Sequence, residues 1–403
     1  MPKPIPFSPP DITEAEISEV AEALRSGWIT TGPRTKEFER RITAETGAAG
    51  TVCLNSATAA MELCLRVLGI GPGDEVITTA YTYTASASVI DHVGATIRMV
   101  DTNEDNFEMN LEQLAETINK NTKAIIPVDI AGLTCDYKSI YEVIESKKDV
   151  FKANPESEYQ KTLGRIAIVA DAAHSFGARD GDVMSGNLAD FNCFSFHAVK
   201  NLTTAEGGAV TWSSKLGFDS DELYQAFQLL SLHGQSKDAL AKMQLGAWEY
   251  DIVSPAYKCN MTDIMAALGL IQLDRYPGLL ERRREIVKKY DEAFVAQGWK
   301  PLLHQQGSRV SSRHLYLLQI PGLNETKRNA LIVKMAEEQI ATNVHYKPLP
   351  MMTAYRKLGF DIADYPKAYA HYEKVITLPL HTLLTDEDVE RIIEAMIRLV
   401  PEV

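Results

Sequence analysis

The sequence predicts an α/β fold: a largely parallel sheet with helices on both faces, followed by a smaller C-terminal α+β region. Two patterns predict it. Between Thr51 and Trp212 short β-rich runs alternate with stretches of helical periodicity, and beyond about residue 245 the alternation gives way to consecutive helices.

The first element is a helix over 13–26. Ile17, Val20, Ala21 and Leu24 recur at helical spacing, Thr13 and Glu16 stand in capping-box relation, and Gly27 stops it. The strand runs are EVITT at 75–79, ATIRMVD at 95–101, AIIPV at 124–128, IAIVAD at 166–171, FNCFSF at 191–196 and GAVTW at 208–212. Ahead of the first of these, residues 54–76 hold a helical run with Met61, Leu65 and Leu68 on one face. Residues 145–165 are polar with one proline and read as a surface excursion inside the first domain. Later, 261–273 and Leu279 to Ala296 read as two helices separated at Tyr276-Pro277-Gly278, and a final helix runs from Asp386 to Val400. The domains divide into 1–245 and 246–403.

Composition narrows the function. The 403 residues are 45% hydrophobic and 24% charged, which excludes disorder, collagen and a disulfide scaffold. A net charge of −13 repels phosphate backbones, so nucleic acid is not an expected partner. Cys53, Cys64, Cys135, Cys193 and Cys259 are odd in number, without a C-x-x-C pair, and read as reduced thiols of a cytoplasmic protein without a metal site. The N-terminal MPKPIPFSPPD lacks an apolar signal region, and no uninterrupted apolar run is long enough to span a membrane.

Three segments carry chemistry. In FSFHAVKNLTTAEGGAV at 194–210 a β-like run breaks into a loop that holds Lys200 among apolar and small residues, where burial lowers an amine's pKa towards nucleophilic use. IAIVADAAHSFGA at 166–178 ends a strand on Asp171, where open α/β sheets bind ligands, and places His174 just beyond. An amine able to form an imine and an acid able to keep a pyridinium nitrogen protonated are the pair that pyridoxal phosphate requires. Read singly, Lys200 also fits an exposed loop lysine and Asp171 a strand-end cap. The third segment, at 54–76, opens a helix after Asn55, Ser56 and Thr58, and its free amides suit a phosphate as well as simple capping by Ser56. Gly69-Ile70-Gly71-Pro72-Gly73 follows a helix and precedes a strand, the reverse of a dinucleotide loop.

In chain order, NSATAAMELCLRVLGIGPGDEVI, DAAHSFGA, FSFHAVKNLTTAEGGAV, YKCNMTDIMAALGLIQL and VHYKPLP resemble the DegT/StrS family of pyridoxal-phosphate-dependent sugar aminotransferases. The likeness runs from GWITTGPRTKEFE at 27–39 to the final helix. It implies the type I fold of pyridoxal-phosphate-dependent transferases. That means a seven-stranded, mostly parallel sheet in a large cofactor-binding domain (1–245) and a small α+β domain (246–403). It implies that Lys200 is the Schiff-base lysine, that Asp171 partners the pyridine nitrogen and that His174 lies beside the ring, a satisfied structural histidine being the alternative. Ala57, Thr58 and Ser195 match phosphate-binding positions. Tyr83 matches the aromatic residue on the cofactor face, with Tyr81 as its competitor. The segment AYKCNMTD implies a homodimer with shared active sites in which Lys258 and Asn260 contribute. His345, Tyr346 and Lys347 match a substrate loop. Lys258 stands where many relatives have asparagine, Asn260 where many have arginine, Pro350 where histidine is common and Thr79 where proline is usual. The expected reaction moves an amino group from glutamate, released as 2-oxoglutarate, to a nucleotide-linked keto sugar. A 4-keto-6-deoxyhexose is expected, by a ping-pong course. A sugar dehydratase and a noncatalytic sensor on the same fold are the alternatives, the former opposed by Lys200, since such relatives generally have histidine there.

Overall fold

A computed structural model describes residues 3–236 and 249–403. The expected domain boundary at 245/246 lies outside the described residues. Among the described residues seven strands form the main sheet: β1 (Gly50–Leu54), β2 (Glu75–Thr79), β3 (Thr96–Val100), β4 (Thr122–Ile126), β5 (Ala167–Asp171), β6 (Phe191–Ser195) and β7 (Gly208–Trp212). Their spatial order is β1-β7-β6-β5-β4-β2-β3, and only β7 runs against its neighbours. Six of these strands coincide with the β-rich runs to within two residues; β1 is not among those runs. Because β2, β5 and β6 are parallel and β7 is reversed, Thr79, Asp171, Ser195 and Gly208 all reach the same edge of the sheet.

Alternate residues of a strand enter opposite layers, as pleating requires. Val169 packs in the layer of Met61 and Leu65, whereas Ile168 and Ala170 join Ile140 and Phe176 on the other face. A separate core gathers Ile5, Ile286, Tyr290, Phe294, Tyr316, Leu318, Ile376 and Met396. It belongs to the smaller C-terminal α+β region, an antiparallel sheet of Lys300–Pro301, Tyr316–Gln319 and Val375–Leu378 with the helices Glu325–Glu337 and Asp386–Leu399. Among the described residues no helix is long and apolar enough to cross a membrane.

Three local readings need correction. The two helices expected on either side of Pro277 are one, Asp263–Val295, with the proline inside. An interior proline costs about 3 kcal/mol. Burial of Leu273, Tyr276 and Leu279, with the Tyr276 hydroxyl donating to the Phe176 carbonyl at 2.5 Å, offsets it. The excursion at 145–165 contains the short helix Glu158–Leu163, and its Ser157 and Gln160 are buried because both donate to the Leu68 carbonyl. The first helix, Glu14–Arg25, has the expected capping box, yet Ile17 and Leu24 are exposed while Glu16 and Ala23 are buried.

That inversion has an electrostatic cause. Glu16 has no exposed surface and accepts hydrogen bonds from Thr13, Gln272 and Arg275, the last two on the long helix. Burial alone would raise its pKa, but the Thr13 and Arg275 donors overcome it and hold the carboxyl at about 2. A depressed carboxylate contributes stability above its unfolded pKa of about 4.3 and loses it as pH falls towards the folded value. Glu16→Gln should therefore destabilise the protein at pH 7 by on the order of 2 kcal/mol in urea unfolding, and the gap from wild type should narrow between about pH 4.5 and 2. A gap independent of pH would contradict this.

Candidate active site

At the carboxyl edge of the sheet, the chain leaving β6 makes a loop that closes on itself. Phe196 N–H donates to the Gly207 carbonyl at 2.9 Å, Thr204 N–H to Phe196 at 2.8 Å and Lys200 N–H to His197 at 2.8 Å. Asn201 anchors the loop from outside, its amide donating to the Ser312 carbonyl at 2.8 Å. Lys200 thus points an amine into a cavity of about 470 Å³, where no described residue bonds it. Burial brings its pKa down to about 8, while the negative charge of Asp171 acts the other way.

Asp171 ends β5 and is 5% exposed. It accepts from the Ser86 hydroxyl at 2.6 Å and the Ala173 N–H at 3.2 Å, but burial dominates and raises its pKa. Behind it lies Asp129, which the sequence reading passed over. Asp129 follows β4 as Asp171 ends β5, so the same strand-end rule would have found it. It accepts from Ser175, Tyr137 and the Cys135 N–H, and burial raises its pKa to about 6 against those donors, with Asp171 adding to the rise.

His174 is 8% exposed and has both ring nitrogens engaged. The Ala131 N–H donates to Nδ1 at 3.3 Å, so the neutral ring carries its proton on Nε2 and donates it to the Tyr346 hydroxyl, 3.1 Å away. Tyr346 is left with its own proton to offer. Burial, then Lys200 and His345, keep the His174 pKa well below the ordinary histidine range. His314, also missed, packs its ring 4.4 Å from that of His174 and bonds Asn201 Oδ1 through Nδ1 at 3.0 Å. His345 bonds Thr377 at 3.1 Å, and burial lowers its pKa to about 4. No spacing in the sequence ties 314 to 174; only the fold does.

Opposite Lys200, Ser56 caps the helix Ala57–Val67 by accepting from Ala59 N–H at 3.1 Å, leaving the first-turn amides of Ala57 and Thr58 beside Ser195 in the same cavity. Gly208 permits this approach, since a Cβ there would lie 2.5 Å from Ala57 N. Tyr83, 60% exposed, lines the cavity, whereas Tyr81 is fully buried and donates to the His345 carbonyl at 2.7 Å. Of the sequence-predicted residues, Lys200, Asp171, His174, Ala57, Thr58, Ser195, Tyr83, His345 and Tyr346 share this one cavity. Lys258, Asn260 and Lys347 do not line it. Lys258 bonds Asn260, which in turn donates to Thr31, and Lys347 lines a neighbouring concavity with Pro350 and Arg356.

Comparison with known proteins agrees with this geometry. The DegT/DnrJ/EryC1/StrS aminotransferase family matches residues 10–152 and 157–397. The chain belongs to this family. A curated relative, the spore coat polysaccharide biosynthesis protein SpsC of Bacillus subtilis, is 37% identical over 401 residues, covering 97% of this chain and 96% of its own. Among solved structures, Spr1654 from Streptococcus pneumoniae in its PMP-form superposes with a TM-score of 0.96 at 59% identity, covering 99% of both chains. The same protein has been solved in a PLP-form. Helicobacter pylori PseC, an aminotransferase involved in the biosynthesis of pseudoaminic acid, gives a TM-score of 0.86 at 28% identity over 100% of both chains.

The protein is a pyridoxal 5'-phosphate-dependent sugar aminotransferase of the type I fold. Its cavity fits that cofactor. It offers an unbonded amine, a buried acid and free helix-start amides facing a serine hydroxyl. If burial sets the amine, capture of pyridoxal phosphate by the apoprotein should accelerate with pH through a midpoint near 8 rather than the usual lysine value near 10.4, and Asp171→Ala should lower the midpoint. Stopped-flow absorbance over pH 6–11 measures both; a midpoint above about 10 would show the amine to be solvated.

Proposed function

We propose that the chain transfers the amino group of glutamate to a nucleotide-linked keto sugar, a 4-keto-6-deoxyhexose on UDP or dTDP, releasing 2-oxoglutarate before the sugar enters. The observation that carries this reading is the convergence of the unbonded Lys200 amine, buried Asp171 and the Ala57–Val67 helix start on one cavity. Bound pyridoxal phosphate supplies the electron sink and the carrier for nitrogen. Lys200 would hold the cofactor covalently and, once free, its Nζ would take the proton from the glutamate α-carbon and later deliver one to the sugar carbon that gains nitrogen. A pKa near 8 suits an amine that must do both near neutral pH. Asp171 would keep a proton on the ring nitrogen, the amides of Ala57 and Thr58 with Ser195 would hold the phosphate, and Tyr83 and His174 would be the cofactor's aromatic neighbours.

His345, Tyr346 and Lys347 receive the sugar nucleotide. The free proton of Tyr346 gives this loop a donor inside the cavity, and Lys347 offers a cation in the concavity it shares with Pro350 and Arg356. We place Lys258 and Asn260 in the partner's site of a homodimer, since neither faces the cavity of its own chain. The division into 1–245 and 246–403 belongs to the same reading, as does a cytoplasmic setting, which the five free thiols support.

Incubating the enzyme and glutamate with matched 3-keto and 4-keto nucleotide sugars, and locating nitrogen by NMR, tests the substrate. Amination at carbon 4 is expected; amination confined to carbon 3 or to amino-acid keto acids would refute it. Borohydride should fix the cofactor to Lys200, and Lys200→Ala should lower turnover by about 10²–10⁴-fold or more. For the shared site, mixing a Lys200→Ala chain with a Lys258→Ala chain should restore activity, because one hybrid site then has both intact halves. No recovery after verified subunit exchange would assign Lys258 elsewhere.

A further inference from the structure

The cavity has one wall that neither the catalytic residues nor the family motifs supply. Residues 3–11 cross from the C-terminal core to the long helix, and on the way Phe7 and Ser8 line the cavity. At one end Ile5 is 3% exposed in the C-terminal core, and its backbone pairs on both sides, Ile5 N–H to Gln339 at 2.8 Å and Ala341 N–H to Ile5 at 3.0 Å. At the other, Asp11 pairs with Arg275 at 2.7 Å and accepts from Thr382 at 2.6 Å. Between the anchors, Pro6, Pro9 and Pro10 restrict the backbone, and the Pro6 carbonyl accepts from His381 at 3.1 Å. A segment tied at both ends and stiffened by prolines presents its side chains in fixed positions.

Two of those side chains face the reaction. Phe7 stacks on His345 with ring centroids 5.6 Å apart and planes 22° from parallel. His345 is itself held by Thr377 through Nδ1 and by Tyr81 through its carbonyl. Ser8 donates to the carbonyl of Val199, the residue before Lys200, at 3.2 Å. Phe7, Ser8 and Val199 line the same cavity as Lys200. Phe7 and Val199 thus contribute an apolar shelf, one aromatic ring and one partly exposed branched aliphatic side chain, to the cavity that holds the amine.

We propose that Phe7 and Val199 form the surface on which the acceptor sugar's unhydroxylated carbon packs, which makes Phe7 a specificity-determining residue for deoxy sugars. The inference rests on the sugar-acceptor reading above and adds to it the wall that reads the substituent. The carbonyl being aminated must come close to Lys200, and in this proposal the methyl group of the adjacent ring carbon is received by Val199, the residue before it, and by Phe7, which line the same cavity. A methyl there loses nothing to desolvation. The Ser8 hydroxyl on this wall already gives its proton to the Val199 carbonyl, so a hydroxymethyl group set there meets carbon and no free donor, and apolar pockets discriminate against such a group by about 10–100-fold.

The measurement is the ratio of kcat/KM for a 6-deoxy-4-keto nucleotide sugar to that for its 6-hydroxy counterpart, in the holoenzyme with glutamate as donor. A general structural defect scales both values and leaves the ratio alone. Wild type should show a ratio of about 10–100, Phe7→Ala and Val199→Ser should each lower it at least about fivefold, and Phe7→Leu, still apolar, should retain most of it. Should Phe7→Ala fail to fold, Val199→Ser decides alone, its site being a partly exposed loop position. A wild type that aminates both sugars equally, or variants that keep its ratio, would overturn the shelf and leave the sugar reading standing. Amination of neither sugar by an enzyme that glutamate still bleaches would overturn both.

Discussion

A lysine amine kept inside a protein cavity without a partner is costly, because the charged form has lost its water and the neutral form must still be presented in one direction. Most of the architecture around Lys200 answers that constraint. The loop is braced by its own backbone bonds and by Asn201, so the side chain gains direction from main-chain geometry instead of a side-chain partner. His174 and His345, whose pKa values burial depresses, surround the amine with neutral rings that add no positive charge at neutral pH. The compensating negative charge is Asp171, held at the end of β5 by Ser86.

Those neighbours come from both halves of the fold, and the seam between them is tightly built. Gly132 adopts φ of +95°, and a Cβ there would meet the Ser312 hydroxyl at 2.1 Å and the His174 carbonyl at 2.8 Å. The segment carrying His314 hydrogen-bonds into this turn: Ser312 N–H donates to Gly132 and His314 N–H to Ala131, each at 3.0 Å. On the far side the Arg283 guanidinium bonds the carbonyls of Arg313, His314 and Leu380, with burial lowering its pKa to about 10. Burying a cation against backbone carbonyls instead of a carboxylate is unusual, and it fixes the histidine segment to the long helix and to the chain beyond Val375–Leu378 at once. Arg283, Gly132 and Asn201 never touch the reacting atoms, yet the positions of His174 and His314 follow from them.

Asp129 shows the same economy behind the site. Its carboxylate accepts from the Ser175 hydroxyl directly after His174, from Tyr137 and from the Cys135 amide. The turn that carries His174 away from β5 is thereby held by a carboxylate whose own strand, β4, lies next to β5 in the sheet. Two acids at adjacent strand ends thus divide the work, Asp171 facing the cavity and Asp129 bracing the turn.

Much of this was legible in the sequence, and the reasons differ by element. Strands β2 to β7 are short runs of β-branched and apolar residues bounded by turns, so local composition determined them. Thr13 with Glu16, and Ser56 before its helix, declared their caps through hydrogen bonds only three residues long. Lys200, Asp171 and His174 stood out because each sits in a contiguous motif whose strand-loop context the sequence carries. The tertiary structure decided what depends on contacts between distant residues. It carried a helix through Pro277, because the burial of Tyr276 and its neighbours exceeds a local penalty, and it buried Glu16 in place of Ile17, because Gln272 and Arg275 wait on another helix. It chose Tyr83 over Tyr81 for the cavity and brought Phe7, Asn201 and His314 to the site. Helical period and strand alternation are properties of neighbours in the chain; the choice of which polar group finds a partner, and which ring meets the amine, is made only when elements hundreds of residues apart are packed together.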